Sequence, residues 1–277
     1  MRINFLSKFA LLVLLVLAMT DFAVPQRRQP LKANKPVAVR AITIITEPKA
    51  IVWLDDLRRG VTDDKGALKI EKVGSNAKKL RVRAVGFAEK TQILPPTANR
   101  ELIVQLVKTN DAAEIAFQQA EVLRETGREI NRSKAVELYR EALKTKSTYS
   151  EALIGLARVL GDMGETEEAI ATITAARKLR PAFPEASAVE GRIYRSGNDT
   201  DSAVKSFRRA IREAKNVQPE AHTGLALAYQ DQGEMEKAAA EFKMAIAQLN
   251  DTEPIVYQLL GETYEKMRRT KEAIAIY

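Results

Sequence analysis

Two periodicities divide the chain. From Ala41 to Lys108 apolar and polar residues alternate: Ile42 and Ile44 flank Thr43, Leu68 and Ile70 flank Lys69, Leu80, Val82 and Ala84 enclose Arg81 and Arg83, and Leu102, Val104 and Leu106 continue the rhythm. A period of two sends successive side chains to opposite faces, so each run predicts a half-buried strand. Turn formers separate the runs at Glu47-Pro48, Asp63-Asp64-Lys65-Gly66, Gly74-Ser75-Asn76, Gly86 and Pro95-Pro96. Turns this close together predict a small antiparallel sandwich of about five to seven strands. Trp53 falls in the second strand and is expected in its core.

From Asp111 onward the pattern becomes helical and repeats itself. Ala135, Ala169, Ala203, Ala238 and Ala273 are spaced by 34, 34, 35 and 35 residues, and four residues after each stands Tyr139, Ile173, Phe207, Phe242 or Tyr277. Small residues return at Ala142, Ala176, Ala210 and Ala245, so small and bulky side chains alternate along one stripe of a helix against which another helix packs. Twelve residues before the anchors come Ala157, Gly191, Ala226 and Gly261, followed three residues on by Leu160, Tyr194, Tyr229 and Tyr264, which gives each unit a first helix. Gly164, Gly197 and Gly233 are expected to end first helices with a positive φ, and Pro184, Pro219 and Pro254 to begin them. The first unit is irregular, because Ala120 precedes Ala135 by 15 residues, and a longer turn through Thr126 to Asn131 is expected there.

These recurring positions resemble the tetratricopeptide repeat over about 165 residues, most clearly from Ser150 onward. No Trp opens a unit; Leu153, Ser187, His222 and Tyr257 stand there instead, and the closing proline is present only as Pro181. The resemblance implies about five stacked helical hairpins over residues 111–277, the last ending at Tyr277 within its second helix, and a concave surface lined by first helices. The overall expectation is a multidomain chain: a small all-β sandwich followed by an all-α superhelical solenoid.

The front region resembles the PEGA family and related prealbumin-like surface domains. The residues that carry this are Ile44 to Leu54, with Pro48-Lys49-Ala50 at the namesake motif and Ile51-Val52-Trp53-Leu54-Asp55 after it, then Leu80-Arg81-Val82 leading to Gly86-Phe87. Lys49 and Ala50 depart from the motif's Glu and Gly. This resemblance implies an extracytoplasmic setting and no defined reaction.

Charge is unevenly shared. Of the net +8, residues 1–110 hold 20 Lys/Arg against 9 Asp/Glu, and residues 111–277 hold 24 against 27. The basicity therefore belongs to the front of the chain. Arg2 and Lys8 precede an unbroken apolar run of 11 residues, Phe9 to Met19. A bilayer-spanning helix needs about 20, so residues 1–23 read as a secretory signal, with a short uncleaved anchor as the competitor. Residues 24–40 hold Arg27, Arg28, Lys32, Lys35, Arg40 and prolines with no acid between Pro25 and Arg40, an extended basic linker. It reads either as a spacer or as a contact for anionic envelope lipid or glycan. The expected location is periplasmic or cell-surface.

No cysteine is present, which excludes disulfides, thiolate metal sites and cysteine nucleophiles. Neither a phosphate-binding glycine loop, a zinc spacing nor a nucleophile elbow occurs, so no catalytic, cofactor or metal site is expected and the chain reads as a binder rather than an enzyme. Asp55, Asp56, Asp63 and Asp64 could attract calcium or simply make turns. His222 reads as a packing residue. Nucleic acid is not expected, because aromatic residues are not interleaved with the basic ones.

In the repeat family the groove is lined just after the small first-helix position and one turn on, here Arg158, Gly161, Arg192, Arg195, Leu227, Gln230, Glu262 and Glu265. Arg158, Arg192 and Arg195 could receive carboxylates of a partner peptide through forked hydrogen bonds, or be ordinary surface arginines. The expected role is an adaptor that binds a protein partner, in cell-envelope or secretion complex assembly. The rivals are the recruitment part of an enzyme continuing beyond Tyr277, and a glycan-binding surface protein acting through the sandwich.

Overall fold

The computed structural model describes residues 39–74, 77, 79–95, 101–214, 217–249 and 253–277. Residues 1–23, read from the sequence as a secretory signal, and nearly all of residues 24–40, read as a basic linker, lie outside these residues. Two layers of strand come first. β1 (Val39–Ile45) pairs with β4 (Ala67–Gly74) and β7 (Glu101–Ile103), while β2 (Ile51–Leu54) pairs with β3 (Leu57–Val61) and with β5 (Lys79–Arg83), which in turn pairs with β6 (Lys90–Ile93). Alternation delivers Ile42, Ile44, Val52, Leu54, Ile70, Leu80 and Val82 to the space between the sheets, where all are buried.

Two features differ from the sequence expectation. β1 and β7 run parallel, with Ile44 opposite Leu102. The chain leaves β6 through Leu94 and Pro95 and comes back on the other sheet, which sets β7 alongside β1 in the same direction. Trp53 is not in the core, because Val52 and Leu54 occupy the inward positions and the period of two turns the residue between them to the outer face. Its ring lies there beneath the guanidinium of Arg81 at 4.3 Å and that of Arg83 at 5.1 Å.

Five helical hairpins follow: α1 (Ala112–Glu125) with α2 (Glu129–Thr145), α3 (Ser150–Asp162) with α4 (Thr166–Leu179), α5 (Pro184–Ser196) with α6 (Thr200–Glu213), α7 (Pro219–Asp231) with α8 (Met235–Leu249), and α9 (Pro254–Lys266) with α10 (Thr270–Ile276). All five anchor alanines are buried, as are Tyr139, Ile173, Phe207 and Phe242 one turn later. Small residues opposite make room for these rings. A Cβ on Gly191 would lie 2.8 Å from the Phe207 ring, and one on Gly224 would run into the same ring. The first helices α1, α3 and α5 each also touch the next first helix as well as their own partner, so burial is shared between neighbours.

The turns contain two corrections. Gly197 has φ −84°, and the left-handed position belongs to Asn198 at 61°, one residue later and in step with Gly164 and Gly233. Asparagine tolerates that backbone, so the glycine beside it was misleading. In the first hairpin the turn is short, and the extra residues extend α2 to 17 residues instead. Pro184, Pro219 and Pro254 stand at the starts of α5, α7 and α9, where the missing amide hydrogen costs nothing.

The sandwich is fastened to the first hairpin by buried polar groups. Gln118, only 1% exposed, accepts from the Gly86 amide at 2.9 Å and donates to the Phe87 carbonyl at 2.8 Å. Glu114 accepts from the Glu89 amide at 2.9 Å, and Arg83 lies over the Phe117 ring at 4.7 Å. The Gly86 and Glu89 amides and the Phe87 carbonyl thus find side-chain partners across the junction.

Candidate functional site

First helices, the loops between hairpins and the outer face of the β3-β2-β5-β6 sheet enclose one groove of about 1130 Å³. Its sandwich wall carries Trp53, Arg58, Lys79, Arg81 and Arg83, because residues of one parity on adjacent strands share a face. Its floor comes from Arg158, Arg192, Arg195, Gly224 and Leu227. The inter-hairpin loops contribute Arg180, Phe183 and Val217, and the first turn of α9 contributes Ile255.

Most charges in the groove are already matched. Arg158 donates to Glu220 at 2.8 and 3.1 Å and to Glu185 at 3.1 Å, bridging α3, α5 and α7. Burial opposes ionisation of Glu220, but the charge and hydrogen bonds of Arg158 outweigh it and hold the carboxyl below the usual glutamate range. Arg195 is forked on Asp231 at 2.7 and 3.3 Å. Arg192 has only a looser contact with Asp162 at 3.5 Å. Burial first, then repulsion from Arg158, draws its pKa down.

Deeper in, Glu121 takes hydrogen bonds from Nη2 and Nε of Arg124 at 3.0 and 3.2 Å and from the Tyr139 hydroxyl. Burial opposes its ionisation, yet Arg124, Tyr139 and Arg83 together keep it charged and its pKa low. Burial and that same carboxylate push the Tyr139 hydroxyl upward.

Of the residues expected in the groove, Arg158, Arg192, Arg195 and Leu227 line this cavity, and Gly161, Gln230, Glu262 and Glu265 are not part of its lining. Gln230 donates to the Thr263 hydroxyl at 2.7 Å, Glu262 accepts from Gln258 at 2.8 Å, and Glu265 accepts from Tyr277 at 3.1 Å. Gly161 packs toward Ile193. His222 is buried with Nδ1 2.6 Å from Glu241. The aspartates do turn work: Asp55 and Asp56 hold positive φ between β2 and β3, and Asp63 accepts from the amides of Lys65 and Ala67.

Sequence reasoning missed two things. The sandwich contributes a wall of the groove, which no periodicity within either region encodes. The polar residue at the packing position of the third hairpin, Ser187, is fully buried and donates to Glu213 at 2.6 Å while accepting from Arg177 and Arg209. The substitution of Ser for a bulky residue was its only signal.

The sequence matches the family described as Tetratricopeptide repeat over residues 154–217 and 189–252, and again over 255–277. The helical region is an array of tetratricopeptide repeats. Its fold is shared with a thermophilic TPR protein of Thermus thermophilus, 24% identical, over 60% of this chain and 88% of that one, with a TM-score of 0.52. Pseudomonas aeruginosa pilF is similar at 18% identity over 61% of this chain and 74% of that one, with a TM-score of 0.53. A chain of the APC/C hetero-tetramer Cut9–Hcn1 is similar at 17% identity over 60% of this chain and 32% of that one, at 0.54. No curated protein sequence matches the chain. A tetratricopeptide array of this kind is a scaffold for protein–protein interaction.

Proposed function

We propose that this protein is an extracytoplasmic adaptor, exported by its N-terminal segment, whose tetratricopeptide groove holds a segment of a protein partner during assembly of a cell-envelope or secretion complex. The observation that carries the reading is the groove itself. It is large, it mixes charged and apolar walls, and Arg192 and Leu227 on its floor are available to an incoming chain. Arg158 and Arg195 take part by shaping the floor, since a partner carboxylate would have to compete with Glu220 and Asp231. The sandwich acts in this reading as a PEGA-like surface domain, and the resemblance of both the leader and the sandwich to exported proteins supports the location.

The test uses the full chain, immobilised and exposed to solubilised envelope proteins, with each retained protein then titrated singly by calorimetry. One partner should bind to the wild type and at least about tenfold more weakly to a chain carrying Leu227→Glu and Arg192→Glu. Equal affinity for both chains, or recovery of the protein solely from cytoplasm on fractionation, would defeat the proposal.

A further inference from the structure

The charges on the groove floor recur with the repeat. Glu151, Glu185 and Glu220 each stand second in a first helix, in α3, α5 and α7, and Arg158 and Arg192 follow the first two by seven residues. The pattern then stops, since Leu227 takes the later position in α7 and Ile255 the earlier one in α9. These arginines pair between helices. Arg158 of α3 is shared by Glu185 of α5 and Glu220 of α7, and Arg192 of α5 meets Asp162 of α3. One turn on, Arg195 of α5 is forked on Asp231 of α7. Between α7 and α9 the corresponding link, from Gln230 to the Thr263 hydroxyl, carries no charge.

One layer back the hairpins are joined by apolar packing. Each second helix lies against the next first helix, with the Tyr139 ring of α2 against Gly155 of α3 and the Phe207 ring of α6 against Gly224 of α7. The two layers answer differently to the solution. Salt does not weaken the burial of rings. It does weaken attraction between charges open to water, because the Debye length falls from about 30 Å at 0.01 M to about 3 Å at 1 M. The carboxylates of the row are open in this sense: Glu185 is 51% exposed, Glu220 42%, Asp162 44% and Asp231 38%. Like charges stand close behind them, since Arg124 of α1, Arg158 and Arg192 repel one another.

We propose that this row of ion pairs sets the width of the groove according to ionic strength. In dilute salt it draws α3, α5 and α7 together on the groove side. In concentrated salt the three part there, while the ring layer keeps the hairpins stacked and folded. The response is confined to the second, third and fourth hairpins, because beyond α7 the link is uncharged. It holds whatever molecule the groove accepts, and so stands apart from the adaptor reading.

The chain has no cysteine, so cysteines introduced at Glu151 of α3 and Gln258 of α9, both exposed and outside the row, carry the only spin labels. The distance between them is measured by electron double resonance on the full chain. From about 0.01 to about 1 M NaCl it should lengthen by about 2 Å or more, a small fraction of the spacing of about 8–10 Å at each helix contact it crosses. A control pair at Thr223 and Gln258, across the uncharged link, should hold its distance. The sign of the response should reverse when Glu185→Gln and Glu220→Gln are combined. Repulsion among Arg124, Arg158 and Arg192 then prevails, and the distance should be longest in dilute salt and shorten as salt rises. Circular dichroism checks that helix is retained throughout. A wild-type distance indifferent to salt overturns the proposal without recourse to any variant. So does a control pair that moves as far as the first, or a double variant that responds in the wild-type direction.

Discussion

The sandwich and the helical array solve the same burial problem in opposite ways. In the sandwich one closed core gathers residues from Ile42 to Val104, and each strand is needed by partners far away in sequence. In the array burial passes from hairpin to hairpin, and the core falls into two clusters that meet within α5. A closed core fixes a shape, whereas a core shared between neighbours leaves a face over, and that face is the floor of the groove. Loss of one element should therefore unfold the whole sandwich but only divide the array.

The sharpest way to break this contrast is to remove a ring from the middle of the array. Phe207→Ala leaves a void against Gly191 and Gly224 and should cost about 3–5 kcal/mol. Hydrogen exchange should rise across α5 to α8 and stay low in the sandwich. Uniform loss of protection would show that the two regions unfold as one.

Next in size is the fastening between them. Gln118→Ala leaves the Gly86 amide and the Phe87 carbonyl hidden without partners, for about 2 kcal/mol. The expected readout is faster exchange at Gly86 to Glu89 with little change in total helix by circular dichroism.

A smaller effect separates charge from packing. Glu121 has its pKa lowered in the folded state, so the stability it contributes is complete above its unfolded value of about 4.3 and is lost as pH falls through the lower folded value. The melting temperature should hold steady from neutral pH down to about 5 and fall below about 4. Glu121→Gln should melt lower at neutral pH and show a shallower acid decline.

The smallest concerns a turn. Arg268 holds φ 57° where the other hairpins use Gly127, Gly164, Asn198 or Gly233. Arg268→Gly should stabilise the last hairpin by about 0.5–1 kcal/mol, seen as slower exchange in α10.

What the sequence disclosed follows the same division. The anchor alanines, the rings after them and the prolines at helix starts were legible because each hairpin repeats one local solution. Alternation likewise revealed the strands around Ile42, Leu68, Leu80 and Leu102. Trp53 stands on the outer face despite its bulk, because parity along the strand decides which side chains turn inward. The parallel pairing of β1 with β7 and the approach of the sandwich to the groove depend on contacts between distant segments, which no local period records. The matching of Arg158 by Glu185 and Glu220 was hidden for that reason, since the three lie on separate helices 27 and 62 residues apart along the chain.

One contact of the sandwich reaches much further than its fastening at α1. The pairing of β2 with β3 slips between Val52 and Trp53, leaving Arg59 as the extra residue of a bulge beside Gly60. From there its guanidinium donates to the Leu249 carbonyl at the end of α8, at 3.4 Å and across 190 residues. The array is thus strung like a bow, gripped near one end at Gln118 and again at its fourth hairpin. Any straightening or tightening of its arc must either release Arg59 or pull on the β-hairpin that carries it.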